Sequence, residues 1–227
     1  MAPLFFSLEG NIGSGKSSLL DVVLETLNKA GDQTTKVLHE PVGRWSEPIS
    51  SSAGGMLQAF YDDPKRNGFA FQMFVLLSRV EQHQETTACW SGIRAVLSER
   101  CVASDFELFG RPMRASGMID DVQWKAYTAW TEHVRQHVVG AQVCPRVVYL
   151  RVSPEVSLRR IARRGRAGEQ AIDRAYIEML HAAHEAWIAR VRAEPGARVL
   201  VLNGNLEGDD AVRRHADVVL RFIAADA

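Results

Sequence analysis

Short apolar runs alternate with longer segments of mixed polarity along this chain. The runs are rich in Val, Leu and Phe, and each is short enough to be a single buried strand rather than a helix. Buried runs of this kind are typical of parallel sheets, whose two faces are both covered. We predict five strands, at Leu4–Leu8, Thr34–His39, Ile93–Leu97, Arg146–Val152 and Arg198–Leu202.

The segments between these runs carry apolar residues at helical spacing. The first such segment stops at Gly31, a residue type that favours the end of a helix. Ser46–Gly55 is rich in Ser, Gly and Pro and is predicted to be a loop. The predicted helices are Lys16–Ala30, Phe69–Thr87, Val122–Val139, Ser157–Arg164, Asp173–Arg192 and Asp209–Ala224.

Strands that alternate with helices indicate an α/β fold, here a doubly wound parallel sheet of five strands with helices on both faces. The 227 residues suffice for one sizeable core and are short for two, so a single domain is expected over residues 1–227. No apolar run approaches the roughly 18 residues of a membrane-spanning helix. The balanced charge, +0 overall, gives no sign of a nucleic-acid partner.

Cysteine usage bears on the compartment. The three cysteines are an odd number without metal-like spacing, which argues against a disulfide framework or a zinc site. The apolar N-terminal run is too short for the core of a signal peptide. A reducing, cytoplasmic location is therefore expected.

A phosphate-binding motif follows the first predicted strand. "GNIGSGKSS" matches G-x-x-x-x-G-K-[ST] and lies between a strand and a helix, as this motif requires. Backbone N–H groups of the glycine-rich turn would surround the phosphates of a nucleoside triphosphate such as ATP, and the helix would point its positive end at them. The alternative is a tight turn that binds nothing. The donor-binding residues predicted here are Gly10, Asn11, Gly13, Ser14, Gly15, Lys16, Ser17 and Ser18.

Charged residues follow two other predicted strands. Glu40 comes just after the second strand, and Glu99 and Arg100 come just after the third. Ligands bind at this edge of an open α/β sheet. Glu40 could accept a proton from an attacking hydroxyl, with Arg100 holding it in place. Ser17 and Glu99 could serve Mg²⁺, the carboxylate acting through water. The alternatives are a solvated loop Glu40 and a surface Glu99–Arg100 ion pair.

Five motifs occur in an order that is similar to that of a known family. They are "GNIGSGKSS", "EPVGRW", "FAFQMFVLLSR", "SERCVASD" and "RRIARRGRAGEQAI". Together they resemble the deoxynucleoside kinase family, in particular its deoxycytidine and deoxyguanosine kinases, over nearly the whole chain. The resemblance implies a fold of the P-loop kinase type, deoxynucleoside and nucleoside triphosphate substrates, Mg²⁺, a role in nucleotide salvage and a homodimer.

The same resemblance assigns catalytic roles. Glu40 corresponds to the general base that takes the proton of the 5′-hydroxyl, and Arg100 to the residue that binds the 5′ oxygen. Glu99 corresponds to the magnesium-associated carboxylate.

An acceptor pocket is expected around the helix that begins near Phe69. Trp45, Phe71 and Phe109 could supply stacking surfaces, although plain core packing is the alternative for these aromatic residues. The resemblance makes Gln72 the reader of the base edge, and Tyr61 and Glu169 the partners of the sugar 3′-hydroxyl. The substrate-binding residues predicted are Trp45, Tyr61, Phe71, Gln72, Arg79, Asp105 and Glu169.

Arg79 and Asp105 bear on the choice of base. Both match positions that are charged in deoxycytidine and deoxyguanosine kinases, and small or apolar in members that accept thymidine. Such a pair would crowd the 5-methyl group of thymine. We therefore expect purine deoxynucleosides and deoxycytidine to be preferred over thymidine, unless the pair is purely structural.

An Arg-rich lid is predicted over about residues 159–170. Arg160 and Arg164 are four residues apart and share a helix face, which suits clamping of a transferring phosphate. With Arg166 they match the family's lid arginines; nucleic-acid binding is the alternative. The chain departs from the family's common pattern at Gly168, Cys101 and Ala103, and in a short Ser46–Gly55 segment.

Two other functions share some of these features. A nucleoside monophosphate kinase also has a phosphate loop and an Arg-rich lid, but Glu40 would repel an acceptor phosphate. A nucleotide-gated switch or binding protein would need no acceptor pocket at all.

Overall fold

The computed structural model of the protein describes residues 3–50, 54–87, 91–137, 146–166 and 168–226. Its centre is a five-stranded parallel sheet in the order β2-β3-β1-β4-β5. The strands are β1 Leu4–Glu9, β2 Thr35–Leu38, β3 Ala95–Glu99, β4 Arg146–Arg151 and β5 Arg198–Asn203. The predicted fold class and strand number are confirmed.

Helices cover both faces of this sheet. They are α1 Lys16–Ala30, α2 Val42–Ser46, α3 Met56–Asp62, α4 Pro64–Thr87, α5 Val102–Asp105, α6 Arg111–Ala115, α7 Asp121–His137, α8 Pro154–Arg164, α9 Arg174–Ala193 and α10 Asp209–Ala224. A π-helical turn, Phe106–Gly110, joins α5 to α6, and a short 3₁₀ turn, Glu169–Ala171, precedes α9.

Alternation along the strands sends neighbouring side chains to opposite faces. Val148 and Leu150 of β4 pack with Leu20 of α1 and Val219 of α10 on one face. Val147 and Tyr149 of the same strand pack on the other face, against Trp187 of α9. Both faces are apolar for this reason, which explains why the strands read as continuous apolar runs.

A separate apolar cluster lies beside the sheet, beyond the carboxyl end of β2. Trp45 of α2, Phe60 of α3 and Phe71 of α4 meet there, together with Met113. Trp45 contacts Phe71 edge-on at 5.9 Å between ring centroids, and Phe60 stacks on Phe71 at 5.0 Å. This cluster forms the far wall of the cavity described below.

The helix Lys16–Ala30 was predicted with its exact bounds, and Gly31 closes it with φ of 69°. Other bounds shift. The third strand runs to Glu99 rather than ending at Leu97. Ser98 and Glu99 are polar but buried, and they continue the pairing with β1. Residues 138–139 of the predicted Val122–Val139 helix lie outside the described residues.

The predicted loop Ser46–Gly55 is correct only in part, because Ser46 is the last residue of α2. Helix α3 follows immediately and was not predicted; its apolar residues Leu57 and Phe60 face the cluster. Within the described residues, no helix is both long and apolar enough to cross a membrane.

Candidate active site

The phosphate loop leaves the central strand β1 and packs tightly against helix α8. At Gly13, φ is +74° and a Cβ atom would lie 2.7 Å from the carbonyl oxygen of Ser157, so only glycine fits. Asn11 Nδ2 donates to the carbonyl oxygen of Ile177 in α9 at 2.9 Å. These contacts fix the loop from two sides before any ligand binds.

Lys16 is buried at the end of this loop. Its Nζ donates to the carbonyl oxygens of Gly10 at 3.1 Å and Asn11 at 3.2 Å, and lies 3.9 Å from a carboxylate oxygen of Glu99. Burial, followed by the positive charge of Arg100, lowers the pKa of Lys16 to about 8, although Glu99 and Glu40 oppose this. The ammonium therefore lies close to its titration point at neutral to mildly alkaline pH.

Ser17 and Glu99 are adjacent, as the sequence predicted. The Ser17 hydroxyl donates toward both carboxylate oxygens of Glu99 at 3.2 Å. The backbone N–H of Glu40 lies 3.4 Å from the same carboxylate. A hydroxyl and a carboxylate are hard oxygen ligands, and Mg²⁺ is commonly held by one or two carboxylates plus phosphate oxygens and water. The residues fit that ion, and Ser17 with Glu99 would hold it.

Glu40 lies between two arginines. Its Oε1 accepts a 2.7 Å hydrogen bond from Arg79 Nη2 and lies 3.2 Å from Arg100 Nε. Burial alone would raise the pKa of Glu40, but Arg100, Arg79 and Lys16 together hold it below its ordinary value. Glu40 is thus an anion with a fixed orientation, rather than a solvated loop residue.

Arg79 is the hub of this network. Its guanidinium binds Asp105 through two nitrogens, with Nη2 at 3.0 Å from Oδ1, and its Nη1 donates to the carbonyl oxygen of Glu99 at 3.0 Å. Arg79 and Asp105 are almost fully buried and neither lines the cavity next to Glu40. The sequence predicted that Arg79 and Asp105 lie at the edge of the base. The structure places the pair directly behind Glu40.

A cavity of about 260 Å³ lies between the phosphate loop and the apolar cluster of α2, α3 and α4. Gln72 is buried at its wall, and Gln72 Oε1 has no hydrogen-bond partner among the described residues. Apolar side chains line the rest of that end. The predicted residues that line this cavity are Gly13, Gly15, Lys16, Ser17, Ser18, Glu40, Trp45, Tyr61, Phe71, Gln72, Glu99, Arg100, Phe109, Arg164, Arg166 and Glu169.

Glu169 is buried with only 3% of its side chain exposed, although it lies in the lid. Arg164 binds it with two nitrogens, at 2.5 Å and 3.1 Å, and Arg166 Nη1 lies 3.6 Å away. The proximity of this carboxylate adds to burial in raising the pKa of Tyr61. Tyr61, Glu169 and two lid arginines therefore meet at one end of the cavity.

Gly168 explains one departure from the family pattern. Its φ is +84°, and a Cβ atom there would lie 2.7 Å from Gln58 Oε1 and 3.0 Å from Tyr61 Cδ2. An acidic residue would be strained by this backbone conformation and would require the Gln58 side chain to move. Cys101, another departure, is buried and caps helix α5 by accepting from the backbone N–H of Ser104.

A second cavity, of about 550 Å³, lies on the other side of the phosphate loop. Arg160 lines it and donates to the carbonyl oxygen of Ser14 at 3.0 Å. Gly204 and His215, from the C-terminal part of the chain, line its far end. Arg164 lines both cavities, so it lies where a donor and an acceptor would meet.

Sequence reasoning missed several lining residues. Tyr176 of α9 lines the first cavity, and burial raises its pKa. Leu57, Phe60 and Met113 line the same cavity. These are apolar or aromatic residues at helical spacing, so nothing in the sequence distinguishes them from core residues.

Comparison with known proteins identifies the family of this chain. The family model for deoxynucleoside kinases matches residues 6–222. Mouse deoxycytidine kinase is 32% identical over 197 residues, covering 80% of this chain and 74% of its own. Human deoxycytidine kinase is 30% identical over the same length and coverage. The mitochondrial deoxyguanosine kinase of Xenopus laevis is 28% identical over 201 residues, covering 83% of this chain and 74% of its own.

The chain belongs to the deoxynucleoside kinase family. It is a nucleoside kinase, an enzyme that transfers a phosphoryl group.

The lowered pKa of Lys16 leads to a testable expectation. ATP brings negative charge to the ammonium and should raise its pKa, so ATP binding at about pH 9 should take up a proton. Isothermal titration calorimetry in buffers of different ionisation enthalpy measures that uptake. Lys16→Arg, which stays charged at this pH, is the control and should show less uptake. Equal proton uptake by both proteins would show that Lys16 is not the group that takes up the proton.

Proposed function

We propose that this kinase transfers the γ-phosphoryl group of ATP, or of another nucleoside triphosphate, to the 5′-hydroxyl of a deoxynucleoside in nucleotide salvage. The supporting observation is the position of Glu40, which lies in the same cavity as the phosphate-loop residues Lys16 and Ser17 and is oriented by Arg79 and Arg100. A carboxylate in this place can accept a hydrogen bond from an attacking hydroxyl.

The low pKa of Glu40 is compatible with this role. In phosphoryl transfer the transition state is loose, and positioning of the attacking oxygen matters more than early proton removal. A fixed anionic Glu40 orients the hydroxyl and takes its proton late, while Arg100 contacts the same oxygen. Mg²⁺, bound by Ser17 and by Glu99 through water, would neutralise charge on the donor phosphates.

The lid arginines supply the remaining positive charge. Arg160 lines the donor cavity, Arg166 lines the acceptor cavity, and Arg164 lines both. Guanidinium groups stabilise charge that spreads over the equatorial oxygens of the transferring phosphoryl group. Their present partners, Ser14 and Glu169, hold them next to the site where that charge develops.

A hydroxyl acceptor is favoured over a monophosphate. An acceptor phosphate would lie against the anionic Glu40, and the arginines that could offset its charge, Arg164 and Arg166, are bound to Glu169. Tyr61 and Glu169 would instead hold the sugar 3′-hydroxyl.

The base would lie between Trp45, Phe71 and Phe109, with its edge at Gln72. The amide of Gln72 is buried, and its oxygen is unpaired among the described residues. Arg79 follows Gln72 by seven residues on α4 and so lies on the same helix face, toward which the base edge would point. We propose that purine deoxynucleosides and deoxycytidine are preferred over thymidine, whose methyl group would approach the Arg79–Asp105 pair.

We propose further that the enzyme is a homodimer joined through α4 and α7. Leu77 of α4 is 50% exposed and Trp130 of α7 is 55% exposed. Between them lies an apolar groove of about 510 Å³ lined by Met73, Phe74 and Val80. An exposed apolar surface on this scale is typical of an interface.

We place the enzyme in the cytoplasm, because three cysteines without disulfide or metal spacing favour a reducing compartment.

Substrate turnover tests the proposed reaction. Initial rates with Mg-ATP should be measured for deoxyguanosine, deoxyadenosine, deoxycytidine and thymidine and for their monophosphates. The deoxynucleosides should react, thymidine most slowly. Turnover of the monophosphates alone would contradict the hydroxyl acceptor, and phosphate release without any acceptor would support a nucleotide switch. Fast thymidine turnover would leave the kinase in place and overturn the selectivity.

Neutralising Glu40 should stop catalysis. Glu40→Gln keeps the shape but cannot take a proton, so kcat should fall about a hundredfold or more, as for loss of a general base. Glu47→Gln is the matched control, since Glu47 is exposed in the same segment and should leave kcat unchanged. A Glu40→Gln enzyme within threefold of the wild type, with a normal melting curve, would rule out the assignment.

The dimer can be tested by light scattering after size-exclusion chromatography. Leu77→Glu places a charge on the α4–α7 surface and should give a monomer of about half the wild-type mass. Leu24→Glu changes an exposed leucine on α1, away from that surface, and should leave the mass unchanged. A wild-type monomer, or a dimer that survives Leu77→Glu, would show that this surface is not the interface.

A further inference from the structure

Glu9 is a buried carboxylate to which none of the roles above assigns a function. It is the last residue of β1, directly before the phosphate loop, and it is 0% exposed. Neither carboxylate oxygen makes a hydrogen bond of normal geometry among the described residues, and the hydroxyls of Ser7 and Ser104 are its polar neighbours. Burial raises the pKa of Glu9 well above its ordinary value. An apolar residue would be less costly at such a position, so the carboxyl group needs an explanation.

The cationic group that faces Glu9 is Arg100. Nη1 of Arg100 lies 3.8 Å from Glu9 Oε2 and also lacks a hydrogen-bond partner among the described residues. Nη2 donates to the carbonyl oxygen of Gly10 at 2.9 Å. The two terminal nitrogens of the guanidinium therefore face the end of β1, while Nε faces Glu40 at 3.2 Å.

The backbone of Arg100 makes this orientation sensitive to its partners. Arg100 is the one residue other than glycine with positive φ, 63°, among the described residues. A left-handed conformation costs free energy for a residue with a Cβ atom, and the surrounding contacts must maintain it. The side chain also lies over the ring of Phe109, with the guanidinium carbon 4.8 Å from the centroid.

We propose that Glu9 is a positioning residue that holds the guanidinium group of Arg100 next to the start of the phosphate loop. This proposal rests on the proposed function, in which Arg100 contacts the attacking 5′ oxygen. Glu9 and Gly10 are consecutive residues at the start of the phosphate loop, so an Arg100 held by both is tied to the donor site. Glu40, on the acceptor side, lies 3.2 Å from Nε of the same guanidinium. Without Glu9, only the Gly10 carbonyl oxygen would oppose the attraction of Glu40, and the guanidinium would shift away from the loop.

The test compares three substitutions at Glu9 by steady-state kinetics with the best deoxynucleoside and Mg-ATP. Glu9→Met has a similar volume and no oxygen, so kcat should fall at least tenfold. The KM values for donor and acceptor should stay within threefold, because Glu9 touches neither substrate. Glu9→Gln keeps an oxygen that faces Arg100 and should recover most of the lost kcat. Glu9→Asp withdraws the carboxyl group by one methylene and should be impaired.

A double-mutant cycle shows whether Glu9 acts through Arg100. In an Arg100→Lys background, Glu9→Met should cause less than a twofold further loss of kcat. Glu185→Gln is the control for neutralising the carboxylate of an ion pair away from the site: Glu185 accepts from Arg151 at 2.7 Å and lines neither cavity. Its kcat should stay within twofold of the wild type.

Several results would overturn the proposal. They are an unchanged kcat in Glu9→Met, a Glu9→Gln enzyme as impaired as Glu9→Met, or equal losses in the wild-type and Arg100→Lys backgrounds. If Glu9→Met does not fold, judged by its melting curve, Glu9→Asp decides, and an unchanged kcat in that variant overturns the proposal. A wild-type protein without deoxynucleoside turnover would instead reject the proposed function.

Discussion

The ion pair of Arg79 with Glu40 and Asp105 organises the active site of this kinase. One guanidinium binds two carboxylates and the backbone of Glu99, and so joins α4 to the segments that follow β2 and β3. Removing any one of these partners would leave a buried charge without compensation, which is far more costly than losing a surface ion pair. The carboxylate of Glu40, the proposed general base, is therefore held by residues that lie behind it.

This arrangement places oppositely charged groups where an apolar core would be more stable. Lys16, Arg79 and Arg100 are buried together with Glu99, all at the carboxyl edge of the sheet. Each charge loses its hydration and regains only part of that free energy from its neighbours. In return, the groups that must meet a phosphoryl group and a hydroxyl are oriented in advance, which is the main requirement of phosphoryl transfer.

Much of the scaffold could be predicted from sequence, because hydrophobic periodicity and glycine placement act locally. The helix from Lys16 to Ala30 and the all-parallel sheet follow from such local signals. The phosphate loop, Glu40 and the Glu99–Arg100 pair were located by their positions after strands. The end of β3 was missed because the buried Ser98 and Glu99 read as polar loop residues.

Features that depend on long-range packing were not predictable. The pairing of Arg79 with Asp105 behind Glu40 is one example, since only the folded chain brings α4 and α5 together. Glu9 sits inside an apolar strand and carries no motif of its own. Tyr176 reads as an ordinary helical aromatic. The roles of Arg79, Asp105 and Glu9 depend on partners more than 20 positions away in the chain.

The most direct test of this account is a crystal structure of the enzyme with deoxycytidine, ADP and Mg²⁺. We expect the 5′ oxygen within about 2.6–3.2 Å of the Glu40 carboxylate, with Arg100 on the same oxygen and Arg79 still bound to Glu40 and Asp105. A nucleoside whose 5′ oxygen points away from Glu40, or a Glu40 side chain that has left Arg79, would contradict the central claim.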